Sequence, residues 1–124
     1  MALNDGLSCR KTLKKEERIH LERDFQRAFK QGKRITLTFF TVIMTPNELP
    51  WRRMAVIVPK RVGKAVKRNR LRRLVREFFR LNKCKLAPSH DYIFLAHKGA
   101  EGLKTYWEVE KVLKGLFEEE GRGG

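Results

Sequence analysis

The sequence predicts an α+β sandwich: one sheet packed by helices, in the order helix, two or three strands, helix, strand, helix. Three observations predict it. Apolar residues recur at helical spacing in three separate stretches. Between these stretches lie short β-branched and aromatic runs bounded by turn residues. The chain has 124 residues, 41% apolar and 35% charged, which suits one domain able to bury a core without disulfides or metal.

Residues 1–15 are polar and lack periodicity, and read as a flexible arm made basic by Lys11, Lys14 and Lys15. The domain itself is expected over 16–120. Leu21, Phe25, Ala28 and Phe29 form one helical stripe over about 20–31, and Gly32 suits the C′ position. From Ile35 to Met44 the residues turn β-branched and aromatic, with Phe39, Phe40, Val42, Ile43 and Met44 reading as a buried strand. Thr45–Pro50 is a turn, and Met54–Val58 is a second apolar run that Pro59 should end. The two runs are expected to pair as an antiparallel hairpin.

A long helix follows over about 64–82, with Leu71, Leu74, Val75, Phe78 and Phe79 as its apolar stripe. Tyr92–His97 is apolar on both faces and therefore interior to the sheet. Thr105 and Glu108 fit a capping box for a last helix, whose stripe is Val109, Val112, Leu113, Leu116 and Phe117. Residues 121–124 should fray. Cys9 and Cys84 have neither metal-ligand spacing nor a disulfide framework, and read as thiols in a reducing compartment. No run approaches the length of a membrane span or a signal peptide. The expectation is a cytoplasmic, soluble protein.

The formal net charge is +15, which speaks of partners rather than fold; a polyanion, nucleic acid foremost, is the natural one. Local concentration matters more than the total. From Leu49 to Arg76 no acidic residue occurs, while Arg52, Arg53, Lys60, Arg61, Lys64, Lys67, Arg68, Arg70, Arg72, Arg73 and Arg76 do. At ~100° per residue, Asn69, Arg73, Arg76 and Arg80 fall opposite the apolar stripe, flanked by Arg70 and Arg72. Lys67 and Arg68 project nearer the apolar side and must reach the sheet edge, or two charges would be buried unpaired. Arginine's planar fork bonds two phosphate oxygens at once and stacks on bases. Asn69 has no place on a merely solvated face; it serves to bond RNA or to hold a neighbouring arginine. The alternatives are a solvated basic face or a membrane-surface helix, the latter opposed by the core's need for the apolar side.

The run Lys60-Arg61-Val62-Gly63-Lys64-Ala65-Val66-Lys67-Arg68-Asn69-Arg70-Leu71-Arg72-Arg73-Leu74-Val75-Arg76-Glu77 closely resembles the bacterial ribonuclease P protein subunit family: a basic pair, Gly, Ala-Val, then the Arg-Asn-Arg helix. Asp24-Phe25 with Phe29, Phe39–Met44 and Asp91–Ala96 resemble the family's first helix, apolar strand and late strand. The resemblance implies a ribosomal protein S5 domain 2-like fold. That fold is one mixed sheet of about four strands packed by three helices, order α-β-β-β-α-β-α. It also implies an unusual left-handed β-α-β crossover, where base rates favour the right hand.

By the same resemblance the protein assists a ribozyme that removes the 5′ leader of precursor tRNA. The catalytic RNA subunit and precursor tRNA would be its partners, with no obligate protein partner. The protein would have no catalytic residues and bind no cofactor or metal itself, Mg2+ being required by the RNA-catalysed reaction. Lys60, Arg61, Lys64, Lys67, Arg68, Asn69, Arg70, Arg72, Arg73, Arg76 and Arg80 would meet the catalytic RNA, and Phe25, Phe29 and Lys60 would serve a cleft for the leader. Pro59, Ile57 and Ile43 depart from the family's pattern.

Spacing alone leaves Phe25 and Phe29 open between core and exposed cleft, where aromatics stack bases. Asp24 and Asp91 read as isolated, and Glu118-Glu119-Glu120 as terminal, so no protein nuclease site is expected. His20, His90 and His97 lack ligand spacing, and Gly63-Lys64 lacks the glycine spacing of a P-loop. Trp51 reads as partly buried over the sheet and Trp107 as packed within or beside the last helix. The alternative function is a ribosomal or general RNA-binding protein without a processing role; a protein-only nuclease ranks third.

Overall fold

In the computed structural model, which describes residues 11–117, four strands make one mixed sheet. They are β1 (Lys33–Leu37), β2 (Phe40–Pro46), β3 (Arg53–Ile57) and β4 (His90–Ala96), in spatial order β1-β2-β4-β3. Helix α1 (Glu22–Gln31) covers one face, and α2 (Ala65–Asn82) with α3 (Tyr106–Leu113) covers the other. The predicted sandwich and its α-β-β-β-α-β-α order are present. Residues 1–10 and 118–124, with Cys9, the Glu118–Glu120 run and the glycine-rich tail, lie outside the described residues.

Strand β4 organises the core. Its Tyr92, Phe94 and Ala96 join the large cluster under α2 and α3, while Ile93 joins Ile19, Ala28 and Ile43 under α1. Phe78 and Phe79 of α2 meet the Phe94 ring edge-on, each at 6.4 Å between centroids, within the range where aromatic pairs add to area burial.

One strand expectation is sharpened and one corrected. The run 35–44, in which Phe39–Met44 read as the strand, is a hairpin, β1 and β2, with Leu37 paired to Phe40 across Thr38 and Phe39. Of the two or three strands expected before the basic helix, three therefore form. Phe39 takes φ +67°, a conformation usually left to Gly or Asn, so its turn carries no sequence signature. The Phe39 carbonyl accepts from His97 N at 2.8 Å, and its ring lies against Gly99, where a Cβ would stand 2.7 Å from it. The hairpin expected between Phe39–Met44 and Met54–Val58 does not form: β4 inserts between β2 and β3, antiparallel to the first and parallel to the second. Hydrophobic pattern reports burial and not partner, and the strand apolar on both faces takes the interior place. A parallel neighbour requires a crossover, and α2 is that crossover.

Helix α1 stops at Gly32, whose N–H donates to Ala28 O at 2.8 Å. Its backbone is extended, φ −73°, and not left-handed as a C′ glycine would be. Glycine is needed for close approach instead: a Cβ there would lie 2.5 Å from Ala28 O and 2.6 Å from Ile43 Cγ2. Helix α3 opens on the expected capping box, with Glu108 N donating to Thr105 Oγ1 at 3.3 Å and Thr105 N to Glu108 Oε1 at 3.0 Å.

Residues 11–15, read from sequence as the end of the arm, are held against the domain. Arg80 Nη1 donates to Lys11 O at 2.7 Å, Lys83 Nζ to Thr12 O at 2.6 Å, and Leu13 packs on the core. Buried Lys83 also pairs with the Glu17 carboxylate.

Candidate nucleic-acid interface

Helix α2 buries Leu71, Leu74, Val75, Phe78 and Phe79, which turns its other side outward. Asn69 and Arg73 are exposed there, and Arg70, Arg72, Arg76 and Arg80 are half-buried along the same face and its flanks. Lys60, Arg61, Lys64 and Lys67 are exposed at and beyond the 3-10 turn Lys60–Val62 that leads into the helix. Pro59 caps that turn at φ −63°, its carbonyl accepting from Val62 N at 3.0 Å. A fixed φ thus suits this departure from the family pattern.

The side chains are ordered by one another. Asn69 Oδ1 accepts from Arg72 Nη1 at 2.8 Å, so Asn69 holds an arginine in place. Arg68 Nε donates to Gly63 O at 3.0 Å, fastening the helix to its turn and keeping the charge at the edge. Arg80 ends the row differently, because its Nε donates to Glu77 Oε1 at 3.1 Å. Hydrogen bonding to Arg80 holds the Glu77 carboxyl below its ordinary range, so the charge of this last arginine is largely answered within the protein.

A groove of about 300 Å³ opens along the outer edge of β3. The chain before α1 makes one wall: Ile19 N donates to Met54 O at 3.0 Å, and Arg18 bridges Met54 in parallel register. Arg18 and His20 thereby line the groove together with Ala55 and Val56 of β3, Phe25 of α1 and Arg76 of α2. Burial first, then the charges of Arg18 and Arg72, lower the Arg76 pKa. Like charges crowded at one groove mouth favour an incoming anion.

Phe25 is neither wholly core nor wholly exposed. The ring packs against the cluster of Ile19, Ala28, Ile43 and Ile93 and also lines the groove. Phe29, 38% exposed, and Lys60 are not among the groove's lining residues. Ile43 is fully buried in the same cluster and Ile57 packs against it, so these departures complete the small core beneath α1. Sequence reading missed Arg18 and His20, which lie outside any periodic pattern and reach the groove only through backbone pairing with β3.

Asp24 and Asp91 are not isolated as expected. Arg53 joins them, gripping Asp91 with Nε–Oδ1 at 2.8 Å and Nη2–Oδ2 at 2.7 Å and reaching Asp24 Oδ2 at 3.3 Å. Arg27 touches both carboxylates, at 3.1 and 3.4 Å, and Asn47 Nδ2 donates to Asp91 Oδ1 at 2.9 Å. The hydrogen bond to Asp91 raises the Arg53 pKa against the opposing effect of burial. An aspartate in a strand apolar on both faces had to be buried and paired; its partner was not legible. Arg52 is also buried, bonding Leu86 O through Nε at 2.9 Å and Nη2 at 2.7 Å. Two arginines of the acid-free stretch therefore serve the fold.

Among the described residues, no three of His, Cys, Asp and Glu come together where they could hold a metal ion, and no helix is long and apolar enough to cross a membrane. His97 Nε2 lies 2.7 Å from Thr41 Oγ1, and Cys84 is exposed in the turn after α2. Trp51 is partly exposed, its indole N–H donating to Glu16 O at 2.9 Å. Trp107 corrects its expectation: it is 72% exposed, because Val109 and Leu113 occupy the inward face of α3.

A mixed sheet with a one-sided arginine-rich helix and an aromatic, cationic groove beside it defines a protein shaped to meet a polyanion. The family model described as Ribonuclease P matches residues 13–120. The ribonuclease P protein component of Syntrophus aciditrophicus (strain SB) is 41% identical over 109 residues, covering 88% of this chain and 91% of that one. That of Thermotoga maritima is 36% identical over 106 residues, covering 83% and 91%. The solved RNase P protein of Staphylococcus aureus superimposes with a TM-score of 0.75 at 30% identity, covering 83% of this chain and 94% of that one. The chain belongs to the ribonuclease P protein family.

Proposed function

We propose that this protein binds the catalytic RNA of ribonuclease P through α2 and the turn before it, and holds the 5′ leader of precursor tRNA in the groove beside β3. The RNA, with its Mg2+, then performs the cleavage that leaves the mature tRNA 5′ end, in the cytoplasm. The observation that carries this reading is Arg76, which belongs both to the outer side of α2 and to the groove that holds Phe25. One continuous surface can thus meet two RNA segments at once.

The division of labour follows from the side chains. Lys60, Arg61, Lys64, Lys67, Arg70, Arg72 and Arg73 neutralise phosphates of the folded RNA, with Asn69 and Arg68 keeping the helix and its forks in position. Phe25 offers its ring to a leader base while Arg18 and Arg76 take the adjoining phosphates, and Phe29 and Lys60 stand outside this pocket. Cations supplied by the protein relieve phosphate repulsion that Mg2+ would otherwise have to screen.

The test is reconstituted cleavage with the RNA subunit and precursor tRNA at low Mg2+, with leaders of increasing length. The protein is expected to lower the Mg2+ requirement, and substrate affinity to rise as the first few leader nucleotides are added. A protein that neither binds the RNA subunit nor changes its Mg2+ requirement refutes the reading. Affinity indifferent to leader length would leave a general RNA-binding protein.

A further inference from the structure

Helix α3 directs Val109 and Leu113 into the core, with Leu116 just beyond them. The opposite side carries Trp107, the most exposed large hydrophobic side chain among the described residues. At ~100° per residue, Lys111 and Lys114 fall within about 40° of Trp107 on that side, and both are exposed. Lys111 and Lys114 stand about 6 and about 10 Å along the axis from the indole. The Tyr106 ring meets it edge-on at 5.3 Å and steadies it.

Among the described residues, the carboxylates of α3 already have hydrogen-bond partners. Glu108 accepts from Lys104 N at 2.8 Å and Thr105 N at 3.0 Å. Glu110 accepts from the Tyr106 hydroxyl at 3.4 Å, on the side where that hydroxyl also meets Asn82 of α2. Between α3 and the free edge of β1 runs an open groove of about 560 Å³, lined by Thr36, Thr38, Lys111, Lys114 and Gly115. A Cβ on Gly115 would come within 3.0 Å of Leu37 Cδ2, so glycine lets the end of the helical segment lie close to the strand. The groove is on the opposite sheet edge from β3.

We propose that this face is a second contact for single-stranded RNA, separate from the basic side of α2 and from the Phe25 groove. A base stacks on Trp107, Lys111 and Lys114 take the neighbouring phosphates, and the strand continues past Thr36 and Thr38. An exposed indole adds little to the fold, whereas an aromatic platform among lysines is the arrangement that holds a flexible strand without reading its sequence. The inference rests on the reading above only in taking RNA as the polyanion.

Full-length protein carrying Trp51→Phe leaves Trp107 as the sole indole. The probe is an oligouridylate of about eight nucleotides, within the span such platforms cover. The expected result is saturable quenching of Trp107, weakened about ten-fold or more by Lys111→Glu with Lys114→Glu. Melting should be unchanged by these exposed substitutions. Should Trp51→Phe impair folding, the difference between wild type and Trp107→Phe reads the same indole. Absence of quenching, quenching indifferent to the charge reversal, or a stronger response to phosphatidylserine vesicles than to the oligonucleotide overturns the proposal. A wild-type chain that lowers the Mg2+ requirement yet shows no quenching sinks this face alone. Failure to bind the RNA subunit sinks the reading before it.

Discussion

Asp91 has no solvent-exposed surface, and its oxygens are divided among Arg53, Arg27 and Asn47. Truncating one member of a buried ion cluster leaves the others charged and unpaired. Asp91→Ala is therefore expected to cost about 3–5 kcal/mol in urea unfolding, and Asp91→Asn less, since an acceptor remains. Because Arg27 and Asp24 sit on α1, the same change should loosen the helix that carries Phe25. Phe25→Ala has two consequences, since the ring is both packing and groove wall. Leader-dependent affinity should fall together with melting temperature, whereas binding of leaderless tRNA should change little. A variant with reduced stability and unaltered leader dependence would remove Phe25 from the groove's function.

At the scale of elements, α3 depends on its first turn. Thr105→Ala should destabilise the protein by about 1 kcal/mol, as lost caps do. Hydrogen bonds from Lys104 N and Thr105 N hold the Glu108 carboxyl below its ordinary value. A depressed carboxyl pKa contributes stability that is present above the unfolded value, about 4.3, and is lost as pH falls through the folded one. The stability difference between wild type and Glu108→Gln, read from melts across a pH series, should accordingly shrink below about pH 4. Gly99→Ala should destabilise the β1–β2 hairpin, because φ is +108° and the Phe39 ring fills the space. Thermal melting checks both that variant and Phe39→Gly, which relieves the backbone while losing the ring contact.

For the whole molecule, the net charge of +15 and its concentration on α2 predict that the proposed binding to the catalytic RNA is governed by counterion release. Affinity should fall steeply with salt, and Arg73→Ala, at an exposed position, should reduce the slope of log K against log salt by about 1 while leaving the melt unchanged. A flat salt dependence would contradict phosphate contact by this face. Arg68→Ala should behave less cleanly, since its side chain also fastens α2 to Gly63.

Helical periodicity, the apolar character of both faces of β4, the capping box at Thr105 and the acid-free stretch are local properties. The helices, the interior strand and the arginine-rich side of α2 were therefore legible from the residues alone. The sequence did not determine which strand lies beside which, because alternation encodes the buried face and not the neighbour; β4 between β2 and β3 is a tertiary outcome. It hid the turn at Phe39, which lacks turn residues and is held by His97 and Gly99 from far along the chain. Likewise Arg18 beside Arg76 and Arg53 between two aspartates exist only once the sheet is assembled. Charges distant in sequence become partners, or share a surface, through the packing that brings their backbones together.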